Sequence, residues 1–107
     1  MLPRRMTFAL LAAVLTMVSV STHAATVEIT IDNLVFSPAE ATAKVGDTIV
    51  WINKDIFAHT ATARNGDWDI AQPPKKSVPL VLKKAGSVDY YCRHHPNMKG
   101  TIVVTPQ

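Results

Sequence analysis

Hydrophobic and polar residues alternate with period two along most of this chain beyond residue 25. In TVEITI (26–31), Val27, Ile29 and Ile31 share one face, and Thr26, Glu28 and Thr30 share the other. That is the pattern of a half-buried strand. Leu34 and Phe36 carry an apolar face up to Pro38. A second run, TIVWIN (48–53), is entered through the turn pair Gly46 and Asp47, and a third is SVPLVL (77–82). Pro79 has no amide donor, which predicts an edge strand or a bulge there. SVDYYC (87–92) and TIVVT (101–105) complete the set. SPAEATAKVG (37–46) opens with a helix-start signal in Ser37, Pro38 and Glu40. The alternation of Ala41, Ala43 and Val45 with Thr42 and Lys44 favours a strand, because so short a helix is marginal. ARNGDWDIAQPPKK (63–76) reads as a long loop pinned to the core by Trp68. Six to eight short strands in about 80 residues predict an all-β, antiparallel sandwich or barrel.

The pattern breaks before residue 25. Arg4 and Arg5 precede an uncharged apolar run, Met6–Val20, and STHAA then offers small residues for cleavage after Ala24, with Thr22 at the −3 position. This is the layout of a secretory leader, and the run is shorter than the roughly 20 residues that span a bilayer as a helix. The expected organisation is a cleaved signal peptide at 1–24 and one domain at 25–107, exported to the periplasm without stable membrane insertion. The leader changes the charge picture too. The full chain has 11 basic and 8 acidic residues, but without Arg4 and Arg5 the balance is nine against eight. The basic doublets, Lys75–Lys76 and Lys83–Lys84, are isolated, so nucleic acid is not an expected partner.

A domain of 83 residues has a small core, and exported domains of that size often add disulfides or a metal. Cys92 is the only cysteine, so an internal disulfide is impossible. Packed alone it would be a small hydrophobe, but it stands in YYCRHHPNMKG (90–100) with His94, His95 and Met98. Cys92, His95 and Met98 fit C-x-x-H-x-x-M on one short connection between strands. His59, in FAHTA after the second strong strand, is the candidate fourth donor. Two imidazoles, a thiolate and a thioether suit copper, because a thioether is a poor zinc ligand and structural zinc sites close with cysteine and histidine. A catalytic Cys–His pair is the enzyme alternative. It lacks an acidic or amide orienter near the loop in sequence, and it leaves Met98 unexplained, so the expectation is not an enzyme.

The loop CRHHPNM (92–98), with WINKD (51–55) ahead of AHT (58–60), resembles the cupredoxins, amicyanin-like and plastocyanin-like in kind. The likeness covers nearly the whole chain beyond the leader. It implies a Greek-key β-sandwich, a mononuclear type I copper ion, and metal ligands at His59, Cys92, His95 and axial Met98. It further implies a monomer that shuttles single electrons between redox proteins, such as a dehydrogenase and a c-type cytochrome. His95 would be the electron gate, ringed by Pro96 and Phe57 or Ala58. Two positions depart from the family: Thr60 stands where asparagine is usual, and His94 where amicyanins tend to have proline. Thr60 could still hydrogen-bond across to the Cys92 loop, and His94 should face solvent. A copper carrier in copper homeostasis is the alternative function, since the same ligands allow it.

Overall fold

The computed structural model describes residues 2–4, 9, 11–16 and 23–107. Much of the expected leader, including both ends of its apolar run, lies outside the described residues. Among the described residues no helix is long and apolar enough to cross a membrane.

Nine strands form the domain: β1 (Thr26–Asp32), β2 (Val35–Ser37), β3 (Glu40–Lys44), β4 (Thr48–Asn53), β5 (His59–Ala63), β6 (Asp69–Gln72), β7 (Ser77–Val81), β8 (Gly86–Tyr91) and β9 (Lys99–Thr105). They make two packed sheets, in the orders β2-β1-β4-β7 and β3-β9-β8-β5-β6. The all-β sandwich expected from the alternation is therefore present, and the ambiguous 37–46 stretch is a strand. Two details differ from the expectation. Residues 63–76 are not all loop, because Asp69–Gln72 pairs with β5 as β6 and takes the count to nine. Nor are the sheets purely antiparallel, since β1 lies parallel to β4 and β3 parallel to β9. Period two says which face of a strand is apolar and nothing about which neighbour it chooses.

Register places the core. Ile29 and Ile31 of β1 lie beside Trp51 and Asn53 of β4, and Ala41 and Ala43 of β3 beside Ile102 and Val104 of β9. All of these side chains are buried. Pro79 sits opposite Val50 on β7, the edge of its sheet, where a missing donor costs no ladder bond. The centre is aromatic. Tyr90 meets Phe36 edge-on at 4.7 Å and Trp51 at 5.7 Å, and Trp68 tilts against Trp51 at 5.4 Å. Trp68 thus pins its segment to the core, as expected. Trp51 Nε1 donates to the Tyr90 hydroxyl at 3.4 Å, and burial pushes the Tyr90 phenol up to about 12.

One glycine is fixed by this cluster. Gly100 pairs with Tyr90 across β8 and β9, and a Cβ there would come within 2.5 Å of the Tyr90 ring and hydroxyl. Tyr90 is hemmed in by Trp51, Phe36 and Trp68, so it has nowhere to retreat. Gly100→Ala should destabilise the domain by about 1–3 kcal/mol, the usual range for overpacking a filled core. Urea unfolding with an unchanged m-value checks it.

Candidate metal centre

Three of the four candidate donors converge. His59 begins β5, and Cys92 directly follows β8, its neighbour in the sheet. The Cys92 sulfur lies 3.7 Å from His59 Nδ1 and 3.9 Å from His95 Nδ1. All three ligand atoms fall within 4.8 Å of one another. Cys92 is 0% exposed, His59 is 1% exposed, and His95 is half-buried. Met98 is buried and packs in the core cluster. His94 is exposed, as expected.

The loop is folded by its own backbone. Cys92 N–H donates to the Met98 carbonyl at 3.0 Å, Met98 N–H to the His95 carbonyl at 2.8 Å, and His95 N–H to the Cys92 carbonyl at 3.2 Å. The three candidate ligands therefore hold one another in place. Thr60 N–H points at the Cys92 sulfur at 3.4 Å, a donor suited to a thiolate.

His59 is oriented from behind. Its Nε2 lies 2.8 Å from Asp55 Oδ2. The same carboxylate accepts Asn33 N–H at 2.7 Å and Leu34 N–H at 3.0 Å. Asn33 and Leu34 form the two-residue β1–β2 turn, both at positive φ, which matches strand twist and turns their amides outward together. Burial works to raise the Asp55 carboxyl, but the Leu34 and Asn33 amides and the His59 ring outweigh it and hold it below the usual carboxylate range. An ionised carboxylate only accepts, so Nε2 of His59 donates that bond, and in the neutral ring this leaves the Nδ1 lone pair facing Cys92. That tautomer is the one a metal needs. No acidic orienter stands near the Cys92 loop in sequence, but the fold brings Asp55, four residues before His59, to that position. The Cys92 sulfur itself is sealed from solvent.

A second set of bonds braces the loop on the other face of β5. Arg93 N–H donates to Thr60 Oγ1 at 2.8 Å, Thr60 Oγ1 lies 2.9 Å from Thr62 Oγ1, and Thr62 donates to Asp69 Oδ1 at 2.8 Å. Arg93 Nε donates to the same oxygen at 3.2 Å. The Thr62 bond, with help from Arg93, holds the Asp69 carboxyl low, so Asp69 only accepts. Thr62 must then spend its proton on Asp69 and accept from Thr60, which in turn accepts from Arg93. The circuit begins and ends on the residue after Cys92. Thr60 thus makes the cross-loop bond expected of it. Thr62 and Asp69 were missed, because their roles depend on β6 pairing with β5.

Gln72 was missed for the same reason. It pairs directly with His59, is fully buried, and neither side-chain polar atom has a hydrogen-bond partner among the described protein groups. Its carbonyl, with those of Pro73 and Phe57, accepts from Asn53 Nδ2 at 2.9–3.2 Å, which staples β6 to the loop that delivers His59.

The donor set fits a copper ion. His59, Cys92, His95 and Met98 form a cluster consistent with a type I copper site. Comparison with known proteins agrees. The Cupredoxin-like domain profile matches residues 5–104. Amicyanin from Paracoccus versutus is 29% identical over 80 residues, 69% of this chain and 61% of that protein. Amicyanin from Paracoccus denitrificans is 33% identical over 75 residues, 64% of this chain. The chain thus spans only 61% and 57% of the length of these two relatives. A plastocyanin from Scenedesmus fuscus is 33% identical over 86 residues, which is 66% of this chain and 87% of that protein. Among solved structures, an oxidised amicyanin variant superposes with a TM-score of 0.66 at 27% identity, covering 73% of this chain and 80% of that one. A purple cupredoxin from Nitrosopumilus maritimus gives 0.64 at 25% identity, covering 73% of this chain and 98% of its own.

Two substitutions separate orientation from stability. Asp55→Ala frees the His59 ring and should weaken Cu(II) binding about 10–100-fold, read by competition with a chelator. Gln72→Leu removes a buried amide without a partner, so the metal-free protein should melt higher, by up to about 1–3 kcal/mol in stability.

Proposed function

The chain belongs to the cupredoxin-like domain family, and from that premise we propose that it is an exported blue-copper protein that passes single electrons between redox proteins. His59, Cys92, His95 and Met98 hold the metal in this reading. The observation that carries it is the convergence of the two imidazole nitrogens and the thiol within 4.8 Å. Copper held by such a set supplies a one-electron couple.

What recommends electron transfer is how little the protein can move. Outer-sphere transfer is fast when donor positions are alike in both oxidation states. Cys92, His95 and Met98 are tied by three backbone bonds, and His59 is clamped by Asp55. The surface beside the site is suited to brief docking. Ile56 is 72% exposed and Phe57 56%, Ala58 and Pro96 are also exposed, and the His59 and His95 rings that these segments carry lie 5.2 Å apart. An apolar collar of that kind fits a redox partner that binds weakly and leaves quickly. Arg93, His94 and Asn97 add a polar margin on one side. A protein built to hand over copper would instead need a ligand free to swing, and the bracing of both histidine-bearing segments speaks against it.

The test is spectroscopic. Cu(II) added to the purified protein should give the intense blue band of a copper–thiolate bond, and Cys92→Ser should abolish it. Fast electron self-exchange with slow loss of copper to an apo-acceptor supports the electron carrier. Ready release of copper to that acceptor would favour the metal carrier. A colourless protein that prefers zinc would reject both.

A further inference from the structure

At the end of the sandwich away from the metal cluster, Ala25 is held just ahead of β1. Its N–H donates to Asp47 Oδ1 at 2.8 Å, and its carbonyl accepts Thr48 N–H at 3.0 Å, just before β1 begins at Thr26. His23 and Ala24 are exposed. Asp47 is a buried carboxylate, 7% exposed, whose other oxygen accepts Lys44 N–H at 2.8 Å. The two amide bonds already favour its ionised form. The charged or titratable groups near it are Lys44, which attracts it, and His23, which shares with Ala24, Lys44 and Gln107 the lining of a cavity of about 190 Å³ beside it.

We propose that Asp47 is a receptor for the new amino terminus: cleavage between Ala24 and Ala25 turns the Ala25 amide into an α-ammonium that stays on Asp47 as an ion pair. The inference rests on the export reading above. An endopeptidase of the signal-processing class adds water across the Ala24–Ala25 peptide bond. The water oxygen goes to the Ala24 carboxylate, and both its protons go to the Ala25 nitrogen, which already carries one. The nitrogen that donated one neutral hydrogen bond then carries a full charge and three protons. Charge-assisted bonds of that kind are shorter and stronger than neutral ones. His23 and Ala24 leave with the leader and open the cavity beside the pair. Processing would thus stabilise the domain and not merely release it.

The sign of the pH effect follows. The backbone bonds from Ala25 and Lys44 already hold the Asp47 carboxyl below its ordinary value. Its contribution is present above the unfolded carboxylate pKa and fades as pH falls through the lowered one. The ammonium pKa is raised by its partner, so its contribution is present below the unfolded amine pKa and fades as pH rises through the raised one. The pair is intact between the two.

The full chain should be produced in exported form, giving the processed protein, and without export, giving the precursor. Mass spectrometry of the exported product should find Ala25 at its terminus. In the folded processed protein, NMR titration should place the α-amine at least one unit above the ordinary value of about 7.7–8.0. The processed form should melt several degrees above the precursor, and that gap should close in Asp47→Asn. A processed protein with an ordinary amine pKa overturns the proposal even if the variant fails to fold. A terminus other than Ala25 overturns it while leaving export standing. An unprocessed chain retained in the cell overturns both.

Discussion

The Asp55 carboxylate is the point on which the metal centre turns. It accepts two amides from the β1–β2 turn and the Nε2 proton of His59. The first pair of bonds fixes where the carboxylate sits, and the third fixes the histidine tautomer. A hairpin turn at one edge of the four-stranded sheet thereby decides which nitrogen of a buried imidazole meets Cys92 in the other sheet. Leu34 carries the cost of this arrangement. It is a branched residue at positive φ, an uncommon state, held by the carboxylate that its amide helps to hold.

Bracing on the opposite face of β5 has a different logic. The circuit through Thr60, Thr62, Asp69 and Arg93 has no freedom in its direction, because its acceptor carboxylate orders every hydroxyl before it. Thr60 alone spans to the loop through its hydroxyl, and Thr62 continues the circuit to Asp69. Part of the loop's support thus rests on β6 through Asp69. β6 therefore backs the site on both faces: Asp69 on the side of the circuit, and Gln72 directly across from His59.

Most of the fold was legible because period-two alternation survives wherever one face of a strand is buried. β4 was read to the residue from TIVWIN, and β3 emerged from alanine alternation against a competing helix signal. β6 was not legible. It is four residues long, follows a turn, runs into two prolines, and its exposed Asp69 and Ala71 carry no apolar face. The parallel pairings were hidden for a related reason: alternation is identical whichever neighbour a strand takes. At the site, Cys92, His95 and Met98 could be read because one loop carries them, and His59 because its residue type completed the set. Asp55 stands in the quoted WINKD stretch, yet only folding brings its carboxylate to the imidazole. Groups that act through a bond between separate strands leave no spacing to read.

The parallel pairing of β3 with β9 also fixes when the molecule can be finished. β3 is an edge strand whose only partner in the sheet is β9, the last strand of the chain. The four-stranded sheet has all its members once residue 81 has been made, but the second sheet must wait for the final stretch. The loop from Cys92 to Met98 lies immediately before that stretch. Without β9 the chain would hold one complete sheet and a second split between β3 and β8. The loop that carries three of the donors and the strand that closes the sheet are thus adjacent in sequence, so a chain without that strand would leave β3 unpaired and the donor loop tethered at one end only.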